Sequence, residues 1–213
     1  MALDYSKWLQ SLRDVATRLA SRGIQAELTI EEPTPEAELA GDERYFGMTS
    51  GQPGFRYNPA LRALYSETRS VSFKWQTHGT PGFPPMFGSM RLLPLLLLYD
   101  PGTGEVEPWH GVWRVLDEDE TGTQTLVQFD PQGTMSLAYR VIEGDTQSLT
   151  PLSLGLDEYL EMALATCCKH HWQLLFASGP NTLPRDQLDD FYADLEAISP
   201  PADPDAVRRL RGG

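Results

Sequence analysis

Leu126-Val-Gln-Phe129 and Met135-Ser-Leu-Ala-Tyr-Arg-Val-Ile142 flank Asp130-Pro-Gln-Gly133. Two apolar-rich segments of strand length around a short Asp/Pro/Gly connection read as a β-hairpin. Hairpins join antiparallel neighbours, so the sheet they belong to is expected to be mainly antiparallel. Just upstream, Asp117-Glu-Asp-Glu120 and Gly122 read as the preceding turn, and Trp109, Gly111, Trp113 and Val115 alternate as a strand. Further out, Val71, Phe73 and Trp75 point one way and Ser72, Lys74 and Gln76 the other. Ile24, Ala26, Leu28 and Ile30 alternate in the same manner with Gln25, Glu27 and Thr29. A period of two with one apolar side marks strands buried on one face.

Helices lie outside this block. Tyr5, Trp8, Leu9, Leu12, Val15, Ala16 and Leu19 recur at three- and four-residue steps, with Asp4 or Ser6 as cap and Gly23 as stop. Leu156, Tyr159, Leu160, Ala163, Leu164 and Cys167 form a second stripe. Leu188, Phe191, Tyr192, Leu195 and Ile198 form a third, opposite Asp186, Asp189, Asp190, Asp194 and Glu196. Asn58-Pro59 starts a short helix that buries Leu61, Leu64 and Tyr65. The order helix, strands, helices predicts an α+β fold: a central, mainly antiparallel sheet flanked by N-terminal and C-terminal helices. Residues 31–57 and 78–89, rich in proline and glycine, read as loops, and Leu92–Tyr99 as a central strand that Pro94 would interrupt. Residues 1–198 are expected to form one domain, and the Pro-rich then basic tail 199–213 is expected to be disordered.

The chain has 213 residues, long enough to bury ~70% of its unfolded surface without staples. Seventeen Lys and Arg against 30 Asp and Glu give a formal net charge of −13. That balance disfavours direct binding to nucleic-acid phosphates, which select cations. The cysteines, Cys167 and Cys168, are adjacent, a poor geometry for a bridge. With no secretory signal pattern at the N-terminus and no apolar run of spanning length, the expected setting is the cytoplasm, without a membrane partner.

Motifs for chemistry are sparse. Gly102-Thr-Gly104 reads as a turn, not a cofactor loop, because it lacks a third glycine and Glu105 and Glu107 follow. Cys167-Cys168-Lys169-His170-His171 could offer two ligands on one helical face, but a structural zinc needs four. Core packing at a helix end is the better reading, and neither a metal nor a cofactor is expected. His110 could serve as a general base, yet no nucleophile pairs with it in the sequence. The acids stand out instead. Glu31, Glu32, Glu36, Glu38, Asp42 and Glu43 lie in one arginine- and lysine-free stretch, and Asp117, Glu118, Asp119 and Glu120 form a block. These ten are the candidate contact residues for a basic protein partner, since complementary fields speed association and choose partners. Their alternative role is simple solubility.

The segment from Asn58-Pro59 to Tyr65, the strand ending at Trp75, the run from Gly88 to Leu95, Phe129-Asp130 and Leu156-Asp157-Glu-Tyr159-Leu160 resemble the SUKH superfamily. The resemblance covers residues 55–176 and departs at Ser66-Glu67-Thr68, where the family commonly carries a Gly-Gly or Asn-Gly. The family includes bacterial immunity proteins and a yeast cell-wall-synthesis regulator. The resemblance implies a non-enzymatic protein with no shared catalytic residues. It would act as an immunity protein, a monomer that occludes a cognate toxin domain, often a nuclease. The alternative it implies is a regulatory or scaffold protein that binds cell-wall or signalling partners.

Overall fold

The computed structural model describes residues 3–79, 85–99, 112–130, 132–143, 146–178, 183–198 and 200–211. Helix α1 (Tyr5–Ser21) starts where Asp4 accepts a hydrogen bond from the Lys7 amide at 3.1 Å. It ends before Gly23, whose φ of +76° suits a residue without a Cβ. Its buried stripe is Tyr5, Trp8, Leu9, Leu12, Val15 and Leu19, as the periodicity predicts. Strand β1 (Gln25–Ile30) follows, then α2 (Glu36–Thr49) and α3 (Pro59–Tyr65). Next come β2 (Val71–Gln76), β3 (Phe87–Leu92), α4 (Leu95–Tyr99) and β4 (Arg114–Glu118). The hairpin strands are β5 (Gln124–Phe129) and β6 (Met135–Glu143), followed by β7 (Thr146–Pro151). Helix α5 (Leu156–Ala165), a 3-10 turn (Trp172–Phe176), α6 (Arg185–Ala197) and α7 (Pro204–Arg211) complete the order.

The fold is α+β, and helices at both termini flank the sheet. The seven strands lie in sequence order, every pair antiparallel. In β1–β3 one face carries Leu28, Phe73 and Met90 into the core, paired across the strands. The opposite face carries Glu27, Lys74 and Ser89 on one rung and Thr29, Ser72 and Arg91 on another. The helices supply the other half of the core through Trp8, Leu12, Leu64, Tyr65, Tyr159 and Leu160. The Trp8 indole also donates to the Leu160 carbonyl at 2.8 Å, which ties α1 to α5.

Five sequence expectations give way, the first being that 78–89 is all loop: Phe87, Gly88 and Ser89 belong to β3, paired with β2. Residues 36–49 are helix rather than loop, because Leu39 and Phe46 pack inward and outweigh Gly41 and Gly47. Phe46 meets the rings of Phe55, Tyr57 and Tyr99 at 5.9, 6.2 and 6.0 Å. Leu92–Tyr99 is not one strand: β3 stops at Leu92, and Pro94 accepts from the Leu97 amide at the start of α4. Asp117 and Glu118 end β4, so the turn is Asp119–Gly122 only. The tail is not disordered over 204–211, where α7 forms and buries Val207. The periodicity also gave no sign of β7. Trp109, His110, Gly111 and Gly102-Thr-Gly104 lie outside the described residues.

Candidate functional site

The ten acidic residues are spread over several elements and do not gather at one point. Glu31 and Glu32 leave the end of β1, exposed, and among the described residues no cation pairs with either. Glu118, Asp119 and Glu120 lie at the end of β4, with β2 and β3 between. Three strand spacings separate the two groups by at least about 14 Å.

Most of these acids are matched within the chain. Glu36 pairs with Arg62 at 2.5 Å, Glu38 with Arg69 at 2.7 Å and Glu118 with Arg91 at 2.8 Å. Glu43 is buried, where Arg62 and the Tyr57 amide both reach it at 3.2 Å. Asp42 is half-buried, and burial together with nearby Glu38 raises its pKa. Asp117 is only 2% exposed. The strand registers opposite Leu92, so its side chain faces the core. It accepts from the Tyr159 hydroxyl at 2.6 Å and from the Arg91 amide at 2.7 Å. Burial nevertheless pushes its pKa up to about 7. Glu43 and Asp117 are therefore internal residues and not contact residues: each fills the polar position that buried backbone and side-chain donors require.

The other acids at the β4 end frame a polar node. Asp119 closes its turn by accepting from the Thr121 and Thr123 amides at 2.9 and 3.0 Å. Its second oxygen meets His170 Nδ1 at 3.0 Å. Burial works to raise the Asp119 pKa, but the bonds from His170, Thr121 and Thr123 outweigh it and hold the group low. The His171 ring lies tilted against His170 with ring centres 3.5 Å apart, and His171 shares a hydrogen bond with the Tyr139 hydroxyl at 2.7 Å. Burial, with His170 beside it, lowers the His171 pKa to about 4.

These histidines belong to a strained corner. Cys167, Cys168 and His171 have φ of +52°, +54° and +63°, each costing on the order of 1 kcal/mol for a residue with a Cβ. Helix α5 ends at Ala165, so Cys167 and His171 do not share a helical face. Both thiols are buried in the core. The corner is held from three sides. The Trp75 indole donates to the Cys167 carbonyl at 2.5 Å, the Cys168 amide to the Ala163 carbonyl at 2.7 Å, and the His170 amide to the Phe87 carbonyl at 3.1 Å.

On the outer side of this corner the sheet opens into a groove of about 300 Å³. Gln25 and Glu27 of β1, Lys74 and Gln76 of β2, Phe87 of β3 and Glu120 of the turn line it. Lys74 Nζ sits 3.1 Å from Glu27 and 3.2 Å from Glu120, joining three elements. Phe87 is 38% exposed and its ring stacks on His170 at 4.5 Å. A smaller depression of about 180 Å³ continues past Lys74 and Glu120 to Arg91 and Glu118. Of the ten candidates, only Glu120 reaches the main groove and only Glu118, Asp119 and Glu120 the depression. Sequence reasoning missed Gln25, Glu27, Lys74 and Phe87 as a group. The outward alternation of Glu27 and Lys74 was the available signal.

No helix among the described residues is long and apolar enough to cross a membrane. Nor do three or more of their His, Cys, Asp and Glu side chains gather in a way that could hold a metal ion. A comparison with protein-family models finds no match to this chain, and none is found among curated proteins or solved structures.

Proposed function

We propose that this chain is an immunity protein, which binds a cognate secreted toxin domain in the cytoplasm and occludes its working surface. The observation that carries the reading is the outer face of β1–β3. It presents a groove with an aromatic wall and a carboxylate rim on a rigid antiparallel sheet. Charge supports it: a net −13 steers association with a basic partner, such as a nuclease domain that recognises phosphates. The resemblance of residues 55–176 to the SUKH superfamily points the same way.

Chemistry at the polar node fits a structural role better. Asp119 uses one oxygen to close its own turn and the other to position His170, so the pair fastens the corner to the sheet. Co-expression tests the proposal. Cells making the C-terminal domain of a secreted protein encoded beside this chain should stop growing, and this chain should restore growth. A harmless neighbour, or toxicity that the chain does not relieve, contradicts it.

A further inference from the structure

Resting on that reading, we infer that the β1–β3 groove receives an arginine side chain from the partner protein, seated between Glu27 and Glu120 with its guanidinium against Phe87. The two carboxylates come from separate elements and already converge on one cation, the Lys74 ammonium. Glu27 and Glu120 are 57% and 61% exposed, so both keep oxygens open to solvent. Two carboxylates and one ammonium leave the rim one negative charge in excess, which complements an incoming cation. Like charges would repel a phosphate or a carboxylate instead.

Phe87 makes the site selective for a planar cation. One face of its ring is backed by His170, which Asp119 in turn fixes. The neighbouring wall is fixed as well: the Met86 amide donates to Thr77 Oγ1 and the Thr77 amide to the Met86 carbonyl, each at 2.8 Å. A fixed, partly exposed ring next to carboxylates suits guanidinium, which stacks on aromatic faces and binds carboxylates through paired donors. An ammonium would gain less from the ring. The groove therefore selects a basic protein loop by an arginine anchor, the residue type enriched at binding hot spots.

The test uses a defined probe, acetyl-Gly-Arg-Trp-Arg-Gly-amide, and the same peptide with citrulline for arginine, which keeps the shape and removes the charge. In amide NMR titrations the arginine peptide should shift Gln25, Lys74, Gln76, Phe87 and Thr121, and the citrulline peptide should not. Glu27→Gln and Glu120→Gln should each weaken binding ~3-fold, the scale of an exposed ion pair. Lys74→Met removes the competing cation and should strengthen binding by a similar factor. Glu31→Gln with Glu32→Gln, just past the end of β1 and outside the groove lining, should change little beyond long-range charge. Exposed isosteric substitutions keep the fold, which a thermal melt checks; should one unfold, the Lys74→Met result decides. Shifts elsewhere, equal binding of the citrulline peptide, no binding at millimolar peptide, or indifference to all three groove substitutions overturns the inference. The two failures are separable. Wild-type chain that does not bind the neighbouring toxin domain ends the immunity reading. Toxin binding that survives Glu27→Gln plus Glu120→Gln ends only the groove assignment.

Discussion

Gly88 of β3 packs directly against the carbonyl of Cys168: a Cβ placed on Gly88 would lie 2.5 Å from that oxygen and 2.5 Å from the Trp75 indole nitrogen. Both neighbours are fixed, one being backbone and the other a buried ring that already donates to the Cys167 carbonyl. Gly88→Ala is expected to cost about 2 kcal/mol or more, because neither neighbour can retreat. Gly41 in α2 is the contrast: the nearest atom to its would-be Cβ is the flexible end of Arg44 at 4.0 Å. Gly41→Ala should stabilise by about 0.5–1 kcal/mol, the helix-interior preference for alanine. Urea melts of the two variants should move in opposite directions, and equal effects would refute the packing of the corner.

Asp117 and His171 make the stability of the fold depend on pH with opposite signs. The folded pKa of Asp117, about 7, lies above its ordinary 3.8. Its contribution is complete below about pH 4 and is lost as pH rises through 7. The folded pKa of His171, about 4, lies below its ordinary 6.5. Its contribution is complete above 6.5 and is lost as pH falls through 4. The two partly cancel between 4 and 6.5, so the wild-type profile is flatter than either alone. Asp117→Asn cannot ionise, so its stability relative to wild type should rise from pH 4 to pH 8, by at most about 4 kcal/mol. A constant difference between the two melts across that range would contradict the buried, protonated Asp117.

The thiols should be silent in the folded protein. Burial pushes the Cys167 pKa up to about 12 and that of Cys168 well above its usual range. Since the thiolate is the reactive form, Ellman's reagent at pH 8 should find neither cysteine in native protein and both in urea. Rapid native labelling would mean that the corner opens.

Helix α7 should add to global stability. Val207 is fully buried and Ala202 nearly so, while Arg208 pairs with Glu196 of α6 at 2.6 Å. Val207→Ala is expected to cost about 1–3 kcal/mol, and Arg208→Ala much less, because that pair is half-exposed and screened by solvent. A Val207→Ala protein as stable as wild type would return residues 204–211 to the status of a loose tail.

Legibility followed periodicity. The stripes of α1, α5 and α6, the Asn58-Pro59 start of α3, and the alternation of β1, β2 and the β5–β6 hairpin could all be read in the sequence, because each repeats over several residues. Helix α2 could not: only Leu39 and Phe46 anchor its apolar side among glycines, and the rings that hold Phe46 come from the Gly/Pro-rich segment after it, at Phe55 and Tyr57, and from distant Tyr99. Asp117 looked like part of a charged turn, and only the pairing of β4 with β3 turns it inward opposite Leu92. The groove was half legible. Alternation pointed Glu27 and Lys74 outward, but their meeting with Glu120 depends on registers set by three strands and a turn. Phe87 was hidden by the Gly/Pro-rich segment that precedes it.

The proposed function has this chain occupying a toxin domain one for one. Titrating the chain into the neighbouring toxin domain, with toxin activity as the readout, measures this directly. Stoichiometric occlusion gives a linear loss of activity that ends at one equivalent, with association slowing as salt rises. Full toxin activity at several equivalents, or inhibition by far less than one equivalent, would contradict it.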